Sequence, residues 1–259
     1  MPTAPPDGYE PAADLLGGRV ILVTGAGDGL GKTAALSLAK HGATVVLLGR
    51  KVKPLERVYD AIERAGGPQP AIYPMNLEGA APQDYTELAK RLGESLGRLD
   101  GLLHNAAQLG TLTPMRLYEP EIWARVMQVN VNAAFLLTRA CLDLLMAADD
   151  ASVVFSSDRV GRQGRAYWGA YGVSKFACEG MMQILADEHD GTSPVRVNSL
   201  DPGVVRTSGY LAAYPGLDPN SLPLPETVMS WYLWLLGPDS RGVTGQAVTI
   251  PSEITPPGE

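Results

Sequence analysis

The chain is poor in residues that build covalent or metal staples. Its 259 residues include two cysteines, Cys141 and Cys178, and three histidines, His41, His104 and His189. Two cysteines permit one bridge at most, and both fall in apolar, helical-looking patterns, so buried free thiols in a reducing cytoplasm are expected. No cysteine or carboxylate stands at ligand spacing from a histidine, and no metal site is expected. Long apolar runs are missing too: the longest, around 19–24 and 43–48, fall far short of the ~18 residues of a membrane span, so no membrane segment is expected. The opening residues, Met1-Pro2-Thr3-Ala4-Pro5-Pro6-Asp7, lack a basic end and an apolar core and do not read as a signal peptide. Cations are outnumbered, 21 Lys and Arg against 28 Asp and Glu, for a net charge of −7. That balance argues against a broad phosphate-binding surface and so against nucleic acid as a partner, while leaving room for a small anionic ligand.

Hydrophobic residues are plentiful, at 45%, and their pattern sets the fold class. Apolar, β-branched runs at 19–24, 44–48, 69–75, 99–104, 151–156, 195–200 and 246–250 alternate with helical periodicity near 30–41, 53–65, 81–96, 119–147, 169–189 and 225–236. Alternation of this kind is the pattern of βαβ units and a parallel sheet. No linker or repeat divides it, so one α/β domain over 19–250 is expected, with an N-terminal extension at 1–18 and a C-terminal tail at 251–259. Two segments break the rhythm, Gln108 to Pro120 and the Pro, Gly and Ser-rich stretch Gly203 to Pro225. Both follow strands, where parallel sheets bind ligands, and they read as substrate loops or lids.

The first strand runs into Thr24-Gly25-Ala26-Gly27-Asp28-Gly29-Leu30-Gly31-Lys32-Thr33. Glycines at a strand-to-helix turn let backbone approach a diphosphate while the helix N-terminus supplies N–H donors. The general G-x-G-x-x-G fingerprint is met in no register, whereas Thr-Gly-x-x-x-Gly-x-Gly is met by Thr24, Gly25, Gly29 and Gly31. Gly31-Lys32-Thr33 also ends like a nucleoside-triphosphate loop, but that loop's first glycine would fall on Ala26. Far downstream, Tyr171 and Lys175 stand four apart. On a helix that spacing puts the ammonium beside the phenol, where a positive charge favours the phenolate and allows proton exchange near neutral pH.

Together these motifs resemble the single-domain short-chain dehydrogenase/reductase family. Further segments agree in order. His104-Asn105-Ala106-Ala107 is similar to its Asn-Asn-Ala-Gly segment, Asn130 to its helix asparagine, and Pro202-Gly203 with Thr207 to its Pro-Gly turn and threonine. The resemblance implies a doubly wound Rossmann-type domain with a seven-stranded parallel sheet flanked by helices. It implies an oxidoreductase moving hydride between a nicotinamide cofactor and a carbonyl/alcohol substrate. Tyr171 would be the general acid/base, Lys175 would lower its pKa and hold the nicotinamide ribose, and Asn130 would hold a relay water. The diphosphate would lie over Gly25, Ala26, Gly27, Asp28, Gly29 and Leu30, with Asn105, Ala106 and Ala107 near the adenosine ribose and Asn76-Leu77 near the adenine. Pro202, Gly203, Val205 and Thr207 would face the nicotinamide. At the end of the second strand Gly49 stands where an acidic residue would select NAD, and Arg50 suits a 2′-phosphate, so NADP is favoured over NAD. Asp28 argues the other way, since many NADP-preferring relatives carry a basic residue there. Relatives assemble through two long helices, here near 119–147 and 169–189, and a homodimer is expected, with a tetramer as the other assembly.

One departure bears on activity. The family's serine, thirteen residues before the tyrosine, is Asp158 here. An ionised carboxylate accepts hydrogen bonds only. At ~4 Å and an effective dielectric of ~20 its charge is worth ~4 kcal/mol against the phenolate, or up to ~3 pKa units. Asp158 would have to be protonated, turn away toward Arg159, Arg162 or Arg165, or yield its place to Ser157 through a bulge; the crowd of basic side chains favours the second. The alternative function is a dinucleotide-binding protein with weak or lost catalysis. Tyr167, Trp168, Tyr210, Leu211 and Tyr214 are candidates for an apolar substrate pocket. The usual Asp-Gly-Gly turn after the last strand is replaced by Pro251-Ser252-Glu253-Ile254-Thr255-Pro256-Pro257.

Overall fold

The seven apolar runs become seven parallel strands in a computed structural model that describes residues 4–251. They are β1 Val20–Thr24, β2 Thr44–Gly49, β3 Ala71–Pro74, β4 Gly101–His104, β5 Ala151–Ser156, β6 Val195–Asp201 and β7 Ala247–Thr249. Their order is β3-β2-β1-β4-β5-β6-β7, every neighbour parallel. Every residue of β1, β4, β5 and β6 is buried, as expected of strands covered on both faces. Strand order reverses between β1 and β4, which opens a crevice beyond their carboxyl ends.

Helices α1 Gly29–Lys40, α2 Val52–Arg64 and α8 Met229–Leu236 cover one face, where Leu38, Leu55 and Trp234 join the core. Helices α3 Pro82–Leu96, α5 Ala133–Met146 and α6 Gly169–His189 cover the other with Tyr85, Leu137 and Met182. Ahead of α5, α4 Pro120–Met127 continues through a π turn, Gln128–Asn132, to make one 27-residue helical segment. By length and composition that segment is apolar enough to cross a membrane, a property that a search for unbroken apolar runs does not register. Its apolar residues are interspersed with polar ones, and Val126, Ala133, Leu137, Cys141 and Leu145 are buried in the fold, so it serves as a core helix.

Two expectations shift. The stretch Gly203 to Pro225 is not plain loop: it holds α7 Ser208–Ala213, whose N-terminus is capped by the Thr207 hydroxyl accepting from the Tyr210 amide at 3.1 Å. Within the N-terminal extension, Leu16 is fully buried in the core and its amide donates to the His41 carbonyl at 2.9 Å. Residues 252–259 of the expected tail, and Met1 to Thr3, lie outside the described residues.

At the amino ends of the strands, away from the crevice, Asp150 accepts from Arg19 Nη1 at 2.9 Å and Arg196 Nε at 3.0 Å. Arg196 further donates to the carbonyls of Leu235, Gly237 and Ser240, tying β6 to the end of α8. Burial would raise the Asp150 carboxyl, but the two guanidinium groups outweigh it and hold it below its ordinary 3.8. A depressed folded pKa contributes stability that is present above 3.8 and lost as pH falls through the lower folded value. Asp150→Ala leaves buried Arg196 without its partner and is expected to cost about 3 kcal/mol in urea unfolding at neutral pH. The difference from the parent should shrink as the titration is repeated below pH 3.8.

Candidate active site

The crevice is a cleft of about 770 Å³ running from the ends of β2 and β3 across the β1 turn to α6 and α7. At its floor the chain turns from β1 into α1 under tight packing. Gly25 and Gly29 have φ of 70° and 51°, in the left-handed region glycine tolerates. A Cβ on Gly31 would lie 2.4 Å from both the Gly25 carbonyl oxygen and Asn105 Nδ2. Gly31 therefore seats α1 against the turn and does not line the cleft. Thr24 likewise works from behind. Its Oγ1 accepts from the amides of Asn105 and Ala106 at 2.9 and 3.0 Å and clamps β1 to the loop after β4. No side chain caps the α1 N-terminus, because the Asp28 carboxylate accepts from the Ser208 hydroxyl at 2.8 Å instead. The first-turn N–H groups of α1 are left as donors beside the cleft, an arrangement suited to an anion.

Gly25, Gly27, Asp28, Gly29 and Leu30 line this middle section, with Asn105, Ala106 and Ala107 opposite. Arg50 lines the end beyond β2, and Asn76 with Leu77 the wall beyond β3. Two cations that sequence reasoning missed, Lys51 and Arg57, stand with Arg50. Their signal was the basic run Arg50-Lys51-x-Lys53 followed by Arg57 one helical turn on.

At the other end lie Tyr171, Lys175, Asp158, Pro202, Gly203, Val205 and Thr207. Asp158 stays in the site. The Tyr171 hydroxyl donates to its Oδ2 at 3.2 Å, and the Val160 amide donates to its Oδ1 at 3.1 Å. Arg162 is drawn to buried Glu179 at 3.2 Å and to the Val248 carbonyl at 2.9 Å. Ser157 does not slip into register, since its hydroxyl donates to the same Glu179. Glu179, which also accepts from Ser199 Oγ at 2.7 Å, was absent from the sequence reading. A lone glutamate eight residues beyond Tyr171 on an apolar helix was its signal.

Lys175 departs from expectation in a second way. Its Nζ donates to the Ser156 carbonyl at 2.6 Å and sits 5.5 Å from the centre of the Tyr171 ring. Burial first, then the charge and hydrogen bond of Asp158, push the Tyr171 phenol well above its ordinary value, with Asp201 adding to the effect. The tyrosine is therefore held protonated, opposite to the shift expected from its lysine. Burial likewise raises the Asp201 carboxyl, and Asp158 adds to that rise, although the Gly203 amide donates to Asp201 at 2.9 Å.

Asn130, in the π turn, is buried and does not line the cleft. Its Oδ1 accepts from the Gln108 amide at 2.7 Å, and its Nδ2 donates to the Gln108 carbonyl at 3.0 Å and to Ser174 Oγ at 2.9 Å. Asn130 and Lys175 do share a small internal cavity of about 20 Å³ behind the cleft. Of the candidates for an apolar pocket, Trp168 and Tyr210 line the cleft and Tyr167, Leu211 and Tyr214 do not. Tyr167 is the one non-glycine residue at positive φ, 74°, among the described residues.

Residues 19–212 match the model of the short chain dehydrogenase family. An Escherichia coli (strain K12) protein named as an uncharacterized oxidoreductase, YciK, is 50% identical over 237 residues, spanning 92% of this chain and 93% of its own. A solved Shigella flexneri 2a str. 301 relative, complexed with NADP, superposes with a TM-score of 0.89 at 48% identity, over 92% of this chain and 99% of its own. An Escherichia coli CFT073 relative, complexed with NADPH, gives 0.90 at 49% identity over the same shares. Family match, near-complete coverage and a seven-stranded sheet of the same shape agree: the chain belongs to the short chain dehydrogenase family of oxidoreductases.

Proposed function

We propose that the chain is an NADP-dependent oxidoreductase acting at a carbonyl or alcohol carbon, with Tyr171 as its proton donor and acceptor. The observation that carries this reading is the single cleft that joins Arg50 and an uncapped helix N-terminus at one end to Tyr171 at the other. Arg50, Lys51 and Arg57 suit a 2′-phosphate, and Gly49 leaves no carboxylate to repel one. The Gly25 to Leu30 turn accepts a diphosphate because its glycines leave the backbone bare and α1 presents N–H donors. Bound NADP would supply the hydride donor or acceptor. Lys175 would hold a ribose hydroxyl near the Ser156 carbonyl, and Pro202, Gly203, Val205 and Thr207 would close the nicotinamide end. The 20 Å³ cavity shared by Asn130 and Lys175 has room for one water, which supports a proton path behind the site.

Asp158 weakens Tyr171 as a proton donor. A raised phenol holds its proton more tightly, and its hydroxyl already donates to the Asp158 carboxylate, so proton exchange with a substrate oxygen needs that hydrogen bond broken or its charge offset. The same hydrogen bond favours a second reading, dinucleotide binding with weak turnover, and the two separate on turnover of a carbonyl panel with NADPH. Assembly as a homodimer through α5 and α6 accounts for the exposed Phe135, Val173, Phe176 and Ile184 on these helices.

Tyr171→Phe is expected to lower turnover by about a thousandfold while NADPH affinity, read by fluorescence titration, stays within about threefold. An active Tyr171→Phe protein would sink the mechanism. Arg50→Ala should weaken NADPH about tenfold and leave NADH unchanged, a loss consistent with one charge-assisted phosphate contact. Removing the carboxylate in Asp158→Ser lowers the Tyr171 pKa. The rising limb of the alcohol-oxidation pH profile should then move to lower pH; an unmoved limb would show that Asp158 does not control the tyrosine.

A further inference from the structure

The carboxylate that opposes the phenolate also defines what can bind beside it. Asp158 Oδ2 lies 3.2 Å from the Tyr171 hydroxyl, where a reacting oxygen would dock, and as an ionised group it offers acceptors only. A ketone oxygen finds no donor on that carboxylate and would place its lone pairs against a negative charge, while a hydroxyl could offer it only one neutral hydrogen bond. A nitrogen cation finds a partner. The aromatic side chains around Asp158 favour the same charge. Trp168 packs 5.7 Å from the Tyr171 ring and 5.9 Å from Tyr214, which lies 4.9 Å from Tyr210. Trp168 and Tyr210 share the cleft wall with Asp158, and the field of Asp158 is felt at both Tyr210 and Tyr214. Tyr210 Oη is buried without a hydrogen-bond partner among the described residues. Electron-rich ring faces next to a carboxylate are the chemistry of an organic-cation site. The charges that bear on this corner are Asp201 from β6, which adds to the negative field, and three arginines that partly offset it: Arg162 with Arg159 at Asp201, Arg159 at Tyr210, and Arg159 with Arg165 at Tyr214.

We propose that the substrate carries a cationic nitrogen on the carbon next to the reacting one, as in an amino ketone or amino alcohol, with its ammonium held by Asp158 against the Trp168–Tyr210 wall. This rests on the hydride-transfer reading given above and names its substrate class. The spacing is natural: oxygen and nitrogen on adjacent carbons lie about 3 Å apart, the separation of the Tyr171 hydroxyl and Asp158 carboxylate that would receive them. The chemical step is unchanged. The carbonyl carbon gains a hydride as the nicotinamide is oxidised, the carbonyl π pair takes the Tyr171 proton, and the ammonium keeps all its protons. A bound cation also offsets the charge of Asp158 at the phenol, so the correct substrate itself restores the proton exchange that the free site suppresses.

Binding tests this without relying on turnover. The full chain is first titrated with NADP⁺, which cannot reduce a ketone, then the loaded protein is titrated calorimetrically with α-aminoacetophenone and with the isostere in which a methyl group replaces the ammonium. The amine is expected to bind about tenfold tighter, as a charge-assisted contact and a ring face together allow, and the preference should fall to within about threefold in Asp158→Ser. Asp158→Asn, of the same shape, serves if the serine variant does not fold. Equal affinities in the parent, a preference that survives in the variants, or no measurable binding of either probe overturns the proposal. Failure of NADP⁺ itself to bind overturns the oxidoreductase reading as well, so the two failures are told apart by the first titration.

Discussion

Parallel pairing of β1 with both β2 and β4 is the constraint on which the site depends. With β1 central and the chain departing to opposite sides, no connection crosses the carboxyl end between β1 and β4, and a crevice must form there. Loops from β1, β2, β3, β4, β5 and β6 then converge on one opening. Residues more than a hundred positions apart, Gly25 and Tyr171 among them, line a common cleft because each follows or faces a strand end. Thr24 holds the β1 and β4 loops in place from beneath, using one hydroxyl to satisfy two amides that burial would otherwise leave costly.

At the chemical end, position is set by groups that do not touch the cleft's centre. Glu179 gathers Ser157 from just past β5, Ser199 from β6 and Arg162 from the loop that follows Asp158. Ahead of that loop, the Tyr171 hydroxyl donates to one carboxylate oxygen of Asp158. The Val160 amide fixes the other carboxylate oxygen. Asp158 is consequently aimed at Tyr171 by its surroundings, and the raised phenol follows from that aim as well as from burial. Gly161 completes the arrangement, since a Cβ there would lie 2.6 Å from Lys175 Cβ, so the loop after Asp158 packs directly on the helix that carries the tyrosine.

Strand positions were legible because buried parallel strands must be nearly all apolar, and runs such as Val20–Thr24 and Ala151–Ser156 have no other reading. Long helices were legible by period. Helix α7 was not, since six residues, Ser-Gly-Tyr-Leu-Ala-Ala, are too few to display one and its start depends on a hydroxyl cap from Thr207. The membrane-length segment Pro120–Met146 escaped a search for unbroken runs because polar residues punctuate it. In the site, residues tied to glycine geometry or to a four-residue spacing could be named in advance. The direction in which Asp158 points could not, because its contacts with the Tyr171 hydroxyl and the Val160 amide form only in the folded loop and no local pattern encodes them.

The hydrogen bond from Ser208 to Asp28 joins the two lips of the cleft across 180 residues of sequence. Both side chains are exposed, so parting the lips exchanges this bond for water at a cost of about 1 kcal/mol. That is a change of only about fivefold in population. The mouth is thus fastened by a latch that thermal motion undoes readily. Beyond that latch, helix α7 keeps its place through the ring contacts of Tyr210 with Tyr214 and of Tyr214 with Trp168, so the lip is fastened mainly by packing.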